Sequence, residues 1–257
     1  MKIKNLINWK LFGVLLGVGI FGTVAVFPYL LSIQGDALKE LPLSLTTVLL
    51  LSLIQTTVLL SVTIFVGLFL GKKVGLGTPL LSDWIAKQPI QEQLKSKGWL
   101  SVKLGALAGV LIIGFDYIFI LFMEPIAVAS APLWQGFLGS FYGGIVEEIL
   151  MRLFLVTLLV WIMWKFSKST SDSPTATSIW IAIIAAAVIF GLGHLPATAA
   201  LTTITPLVVF RAIFLNGIGG IVFGWLYWKK GLESAIIAHF TADVLLLVVF
   251  PLIITLS

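Results

Sequence analysis

Two adjacent carboxylates and a guanidinium, Glu147, Glu148 and Arg152, stand in a stretch whose other residues are almost all apolar. Charged side chains near a bilayer centre cost at least ~2.5 to 3.5 kcal/mol each on insertion scales, so these three require partners, water or a task. Their spacing divides the work. Glu148 and Arg152 are four residues apart, share one helical face and suit an ion pair, because either charge left alone in low dielectric would be heavily penalised. Glu147 lies about 100° round the helix from Glu148 and has no local partner. A carboxylate left over beside a satisfied pair suits general-base work: it can take a proton from water and needs no covalent nucleophile.

The chain has two histidines, and each stands in a second pattern of the same period. His194 follows Phe190 by four residues, so the phenyl ring can pack on the imidazole and fix it. His239 precedes Asp243 by four, which offers the imidazole an orienting acceptor one turn on. Glu147, His194, His239 and Asp243 are therefore the candidate catalytic groups, with Glu148, Arg152 and Phe190 in support. Cysteine is absent, which excludes disulfides, thiolate metal ligands and a cysteine nucleophile. The zinc-protease signature His-Glu-x-x-His is also missing, so the four candidates could bind a metal only by converging in space. The expectation is no metal and no cofactor. Gly114-Phe115-Asp116 lacks the second glycine of the intramembrane aspartyl motif, and Gly139-Ser140 lacks the flanking pattern of rhomboid-type serine enzymes. Asp116 remains a lone carboxylate that could line a wet cavity or pair with a neighbouring helix.

The elements that must position these groups follow from composition. The 257 residues are 59% hydrophobic and 11% charged, against about 25% charged in soluble domains, and the mean hydropathy is +1.12. Hydrocarbon forces every backbone N–H and C=O to be satisfied internally, and apolar runs of ~20 residues achieve that as helices. The expected fold is all-α, a polytopic transmembrane bundle in one integral membrane domain, 1–257. Spans are predicted at 11–33, 45–70, 102–123, 131–165, 179–194, 206–228 and 234–256. That makes seven, or eight if 133–146 is a half-segment leading into the Glu147 helix, where Gly139, Gly143 and Gly144 permit close approach or a break. The first of them reads as an uncleaved span, because it is longer than a signal-peptide core. Residues 34–42 read as a polar loop. In the longer polar stretch 71–98, Leu80, Leu81, Trp84, Ile85 and Leu94 are spaced for one face of an interfacial helix.

Charge orients the bundle. All of the 16 basic residues except Lys39, Arg152 and Arg211 fall on one side under alternation, which places the N-terminus in the cytoplasm and the C-terminus outside. The net charge of +5 is loop bias of this kind. No basic stripe with interleaved aromatics exists, so no nucleic-acid partner is expected. Depth sets a further condition: Glu147 lies 18 residues before Lys165 but Asp243 only 13 after Lys230. The helices must tilt, or the 165–177 turn must protrude, for the motifs to meet.

Glu147-Glu148-x-x-x-Arg152, Phe190-x-x-x-His194 and His239-x-x-x-Asp243 occur in that order on successive late spans. With the glycine-rich span (Gly217, Gly219, Gly220, Gly224) and the Lys229-Lys230-Gly231-Leu232 turn, they resemble the CAAX-protease and bacteriocin-processing family (CPBP, or Abi) of intramembrane glutamic proteases. The resemblance covers 133–256, which it marks as the catalytic core, whereas 1–124 carries no recognisable motif. It implies that Glu147 activates a water for attack on a peptide carbonyl, that His194 helps to hold or deprotonate that water, and that His239 and Asp243 stabilise the oxyanion. It also implies a peptide or protein substrate at the membrane, lipid-modified in the CAAX branch. One departure stands out: many members carry asparagine at the Asp243 position, and an aspartate donates a hydrogen bond only when protonated. The competing functions are a non-catalytic immunity or partner-tethering protein on the same scaffold, a metal-dependent intramembrane protease and a proton-coupled transporter. Packing alone would not require Glu147, His194 and His239 together, and no inverted repeat supports transport.

Overall fold

The computed structural model describes residues 7–40, 42–123, 131–167 and 172–256, and all structural statements concern these; of the lysines that orient the bundle, Lys2, Lys4 and Lys168 lie outside them. Among the described residues there is no strand. Six helices are long and apolar enough to cross a membrane: Trp9–Asp36, Leu45–Val74, Gln91–Ile120, Ala176–Ala199, Pro206–Lys230 and Leu232–Leu256. The seventh expected span is a continuous helical run in which α and π turns alternate. A multi-pass helical membrane bundle is thus the architecture.

The first span is two helices, α1 (Trp9–Ala25) and α2 (Phe27–Lys39). Asn8 caps the first, its side chain accepting from the Lys10 and Leu11 amides. Pro28 in the first turn of α2 has no N–H to continue the ladder, and the break falls just before it. The expected loop at 34–42 is instead helical to Lys39: its polar residues do not break a helix, Asp36 and Lys39 pair at 2.8 Å, and Pro42 ends it.

Next, α3 (Leu45–Val74) starts on a Ser44 cap and stops at Gly75, whose φ of 73° is the left-handed stop that glycine takes without strain. Leu50, Ile54 and Val58 on α3 are each more than half exposed, an apolar stripe at helical spacing that faces lipid. The polar stretch holds the expected short helix, α4 (Pro79–Ile85), with Leu80 buried and Trp84 exposed. Residues 91–98, expected in the polar stretch ahead of the third span with Leu94 on an interfacial face, are the first turns of that span's own helix, α5 (Gln91–Ile120). Glu92, Gln93, Lys95 and Lys97 are good helix formers, and Lys97 bonds Gln93 one turn back at 3.0 Å.

The motif-bearing part begins with α6 (Leu133–Phe141), passes through two π segments, π1 (Tyr142–Glu147) and π2 (Ile149–Val156), and ends as α7 (Thr157–Phe166). The half-segment alternative is therefore not taken. Extra residues per turn in the π segments shorten the helix for its sequence length, which reduces the depth mismatch counted above. Thr157 fixes the far end of π2, its hydroxyl donating to the Arg152 carbonyl five residues back at 3.2 Å while pairing with the Tyr227 hydroxyl at 2.6 Å. After α8 (Ala176–Gly193) and the short α9 (Leu195–Ala199) come α10 (Pro206–Lys230) and α11 (Leu232–Val244), then π3 (Leu245–Val249) and α12 (Phe250–Leu256).

Helix α11 sits centrally, packed on α5, α10, α6 and π1. Small residues let it do so. Gly105 and Gly109 of α5 lie against Ala238 and Ala242 of α11, and Gly143 and Gly144 of π1 against its other side. On α10, Gly220 and Gly224 seat Ala187 and Ile183 of α8, as the Gly-x-x-x-Gly spacing predicts.

Candidate active site

The three sequence patterns meet. Arg152 Nη1 donates to Glu148 Oε1 at 2.6 Å, with both side chains essentially sealed from solvent, at 2% and 0% exposed. Its Nη2 reaches the Gly220 carbonyl of α10 at 3.4 Å, and the guanidinium lies 5.6 Å from the rings of Phe190 and Phe223. A buried cation thus has a carboxylate, a carbonyl and two π faces around it, the company that a low-dielectric site requires.

The same Glu148 oxygen accepts from His239 Nδ1 at 2.7 Å. This corrects the expectation that Asp243 orients His239. The imidazole is held by Glu148 from another helix, and Asp243 Oδ1 lies 3.6 Å from Nε2, beyond a hydrogen bond. Phe223 stacks on the His239 ring at 4.7 Å, and Phe190 meets it edge-on at 6.1 Å. With Nδ1 committed to Glu148, Nε2 is the nitrogen left to act, and Glu147 Oε2 stands 3.7 Å from it. Glu147, 22% exposed, and Asp243, 17% exposed, both border a cavity of about 750 Å³.

His194 ends α8 and lines that cavity too. Its ring packs edge-on against Phe190 at 4.6 Å, as the spacing suggested, and Nδ1 is 2.9 Å from the Phe190 carbonyl. A carbonyl only accepts, so Nδ1 carries a proton, and in the neutral tautomer that this bond selects the lone pair is on Nε2. Among the described residues no carboxylate comes within ion-pair distance of His194; it and Glu147 share a cavity without touching.

Gly143 explains how close these groups stand. A Cβ there would run into the Asp243 carboxylate and crowd His239 Nε2, so glycine is what lets π1 and α11 approach across the site. Groups that the sequence reading passed over also face the cavity. Asn216 is a polar residue in an apolar span, which was the available signal. Asp116 does both things its position allowed: it lines the cavity and pairs with Arg211, Nε to Oδ1 at 2.6 Å. Phe223 gave no signal, since an aromatic in an apolar span looks like packing. Among the described residues no group of three or more His, Asp or Glu is arranged to hold a metal ion.

The cavity lies at one end of the bundle. Its walls come from the late turns of the first span (Tyr29), the early turns of α3 (Ser52), the late turns of α5 (Asp116) and the early half of α10 (Arg211). All are remote in sequence from the basic turns at Lys72–Lys73 and Lys229–Lys230.

A multi-pass membrane bundle here brings Glu, His and Asp side chains together at a cavity wall, an arrangement with the groups that acid–base chemistry uses. Residues 129–245, which hold all seven candidate residues, match a family described as type II CAAX prenyl endopeptidase Rce1-like, and this supports the resemblance that the three motifs carry. No curated protein and no solved structure matches the chain.

Proposed function

We propose that this protein is an intramembrane endopeptidase of the CAAX-protease type in which Glu147 activates water. The observation that supports it is the contrast between neighbours: Glu148 is sealed in a pair, whereas Glu147 opens on the cavity beside His239 Nε2. Glu147 takes a proton from a water, the resulting hydroxide adds to the scissile carbonyl carbon, and the carbonyl oxygen becomes an oxyanion. His239, doubly protonated, donates Nε2–H to that oxygen, and Glu148 holds the ring in place for it. Asp243 donates beside it when protonated. Collapse breaks the C–N bond, with the Glu147 proton passing to the leaving amine; the other product leaves as a carboxylic acid, which gives its proton to the amine or to water. His194, its tautomer set by the Phe190 carbonyl, accepts from the water through Nε2.

Residues 133–256 act as the catalytic core, and the spans of 1–124 complete the cavity wall. The positive-inside rule puts the N-terminus in the cytoplasm and the cavity, opposite the basic turns, towards the outer face. The substrate is a peptide or protein segment at the membrane; a lipid anchor on it is an analogy from the CAAX branch alone.

The test is cleavage of a reconstituted peptide library in H₂¹⁸O, with and without chelator. Cleavage indifferent to chelator, with ¹⁸O in the new C-terminal carboxylate after a single turnover, supports a glutamate-activated water. Loss of cleavage on chelation overturns it in favour of a metal, and failure to cleave any member favours a tethering role.

A further inference from the structure

The Asp116–Arg211 pair has no part in the hydrolysis described above, yet it borders the same cavity. An intramembrane ionisable residue is costly, and a helix clamp would be better buried. These two side chains are instead 28% and 22% exposed, at the cavity wall. The pair also leaves the guanidinium unsatisfied. Nε is the only nitrogen engaged, and among the described residues neither Nη group of Arg211 has a partner. Arginine presents its five N–H donors as a planar fork that fits a carboxylate, and one edge of this fork is free. Among the described residues that line the cavity, Arg211 is the one permanent cation.

Position supplies the register. Arg211 lies nine to twelve residues before Gly220 and Phe223, the α10 residues that touch Arg152 and His239. At 1.5 Å rise per residue that is roughly 14 to 18 Å, and an extended chain covers it in about four to five residues at ~3.3 Å each.

We propose that Arg211 is a substrate-binding residue whose free guanidinium edge takes a carboxylate of the substrate, about four to five residues from the bond that Glu147 attacks. The carboxylate is a peptide C-terminus or an acidic side chain, and Asp116 holds the fork in position from behind. This inference rests on the peptidase reading.

The test uses the full-length protein in nanodiscs and matched peptides in three forms: free C-terminal acid, C-terminal amide, and amide with a glutamate scanned along the sequence. Wild type is expected to prefer one carboxylate-bearing form over the plain amide by about 10-fold or more in kcat/KM, the effect of one charge-assisted hydrogen-bonded contact. Which form is preferred identifies the source of the carboxylate. In Arg211→Met the ratio falls to about one, and Arg211→Lys retains part of it. A pair that only clamps helices lowers all forms alike and leaves the ratio unchanged, which would overturn the proposal. Binding decides the matter separately from hydrolysis. In Glu147→Gln protein, carboxylate-bearing peptides should raise the melting temperature more than their amides do, and adding Arg211→Met should erase the difference. If wild type cleaves nothing but that difference appears, the peptidase reading fails and the subsite stands. Equal shifts for all forms, or none, overturn the subsite.

Discussion

Two ion pairs, one on the cavity wall and one outside its lining, are chemically alike: a carboxylate and a guanidinium at 2.6 Å in each. Their surroundings are opposite. Arg152 and Glu148 are sealed, and the carboxylate oxygen they share also grips His239. Arg211 and Asp116 are open to the cavity, and the guanidinium is only partly used. Burial thus separates a pair that holds the site together from one that is free to meet a ligand. Glu147 falls on the open side of that division although its neighbour in sequence is on the sealed side.

Removing one partner of the sealed pair should produce the largest loss of stability. Arg152→Met leaves Glu148 buried without its cation and should destabilise the fold by about 3 to 5 kcal/mol in reversible unfolding from mild detergent. A loss under 1 kcal/mol would erase the distinction between the pairs. Gly143→Ala attacks geometry instead. Its methyl group must displace the Asp243 carboxylate and crowd His239, so kcat should fall by about 100-fold with the chemical groups all present. Tyr227→Phe removes the buried partner of the Thr157 hydroxyl that ends the π run, and a loss of about 1 to 3 kcal/mol is expected in the same unfolding assay. Smallest of all is Asp116→Asn, at about 1 kcal/mol or less, because water screens a pair open to the cavity. Were Asp116→Asn as damaging as Arg152→Met, the open pair would be structural too.

Much of this was legible in the sequence. Long apolar runs gave the helices, and the four-residue periods brought Glu148 to Arg152 and Phe190 to His194, because both are contacts within one helix. What crosses between helices was not legible. Glu148 and His239 are 91 residues apart, and nothing in either pattern showed that the carboxylate would serve both Arg152 and the imidazole. The local Asp243 contact looked sufficient and was not, since the ring turns Nδ1 to Glu148. Asp116 and Arg211, 95 residues apart, were each visible as intramembrane charges, but their pairing depends on how α5 and α10 pack. The π turns were hidden for a related reason. The sequence showed glycines able to relax the helix, while the close seating of π1 on α11 that Gly143 and Gly144 allow is a contact between helices distant in sequence.

The claim that Glu147 acts while Glu148 holds is tested most directly by comparing peptide cleavage and melting temperature in wild type and Glu147→Gln. The expected result is a fall in kcat of about 10²- to 10⁴-fold, the usual contribution of a general base, with the melting temperature close to that of wild type because no described hydrogen bond of the sealed cluster is lost. Cleavage retained in Glu147→Gln would contradict the account.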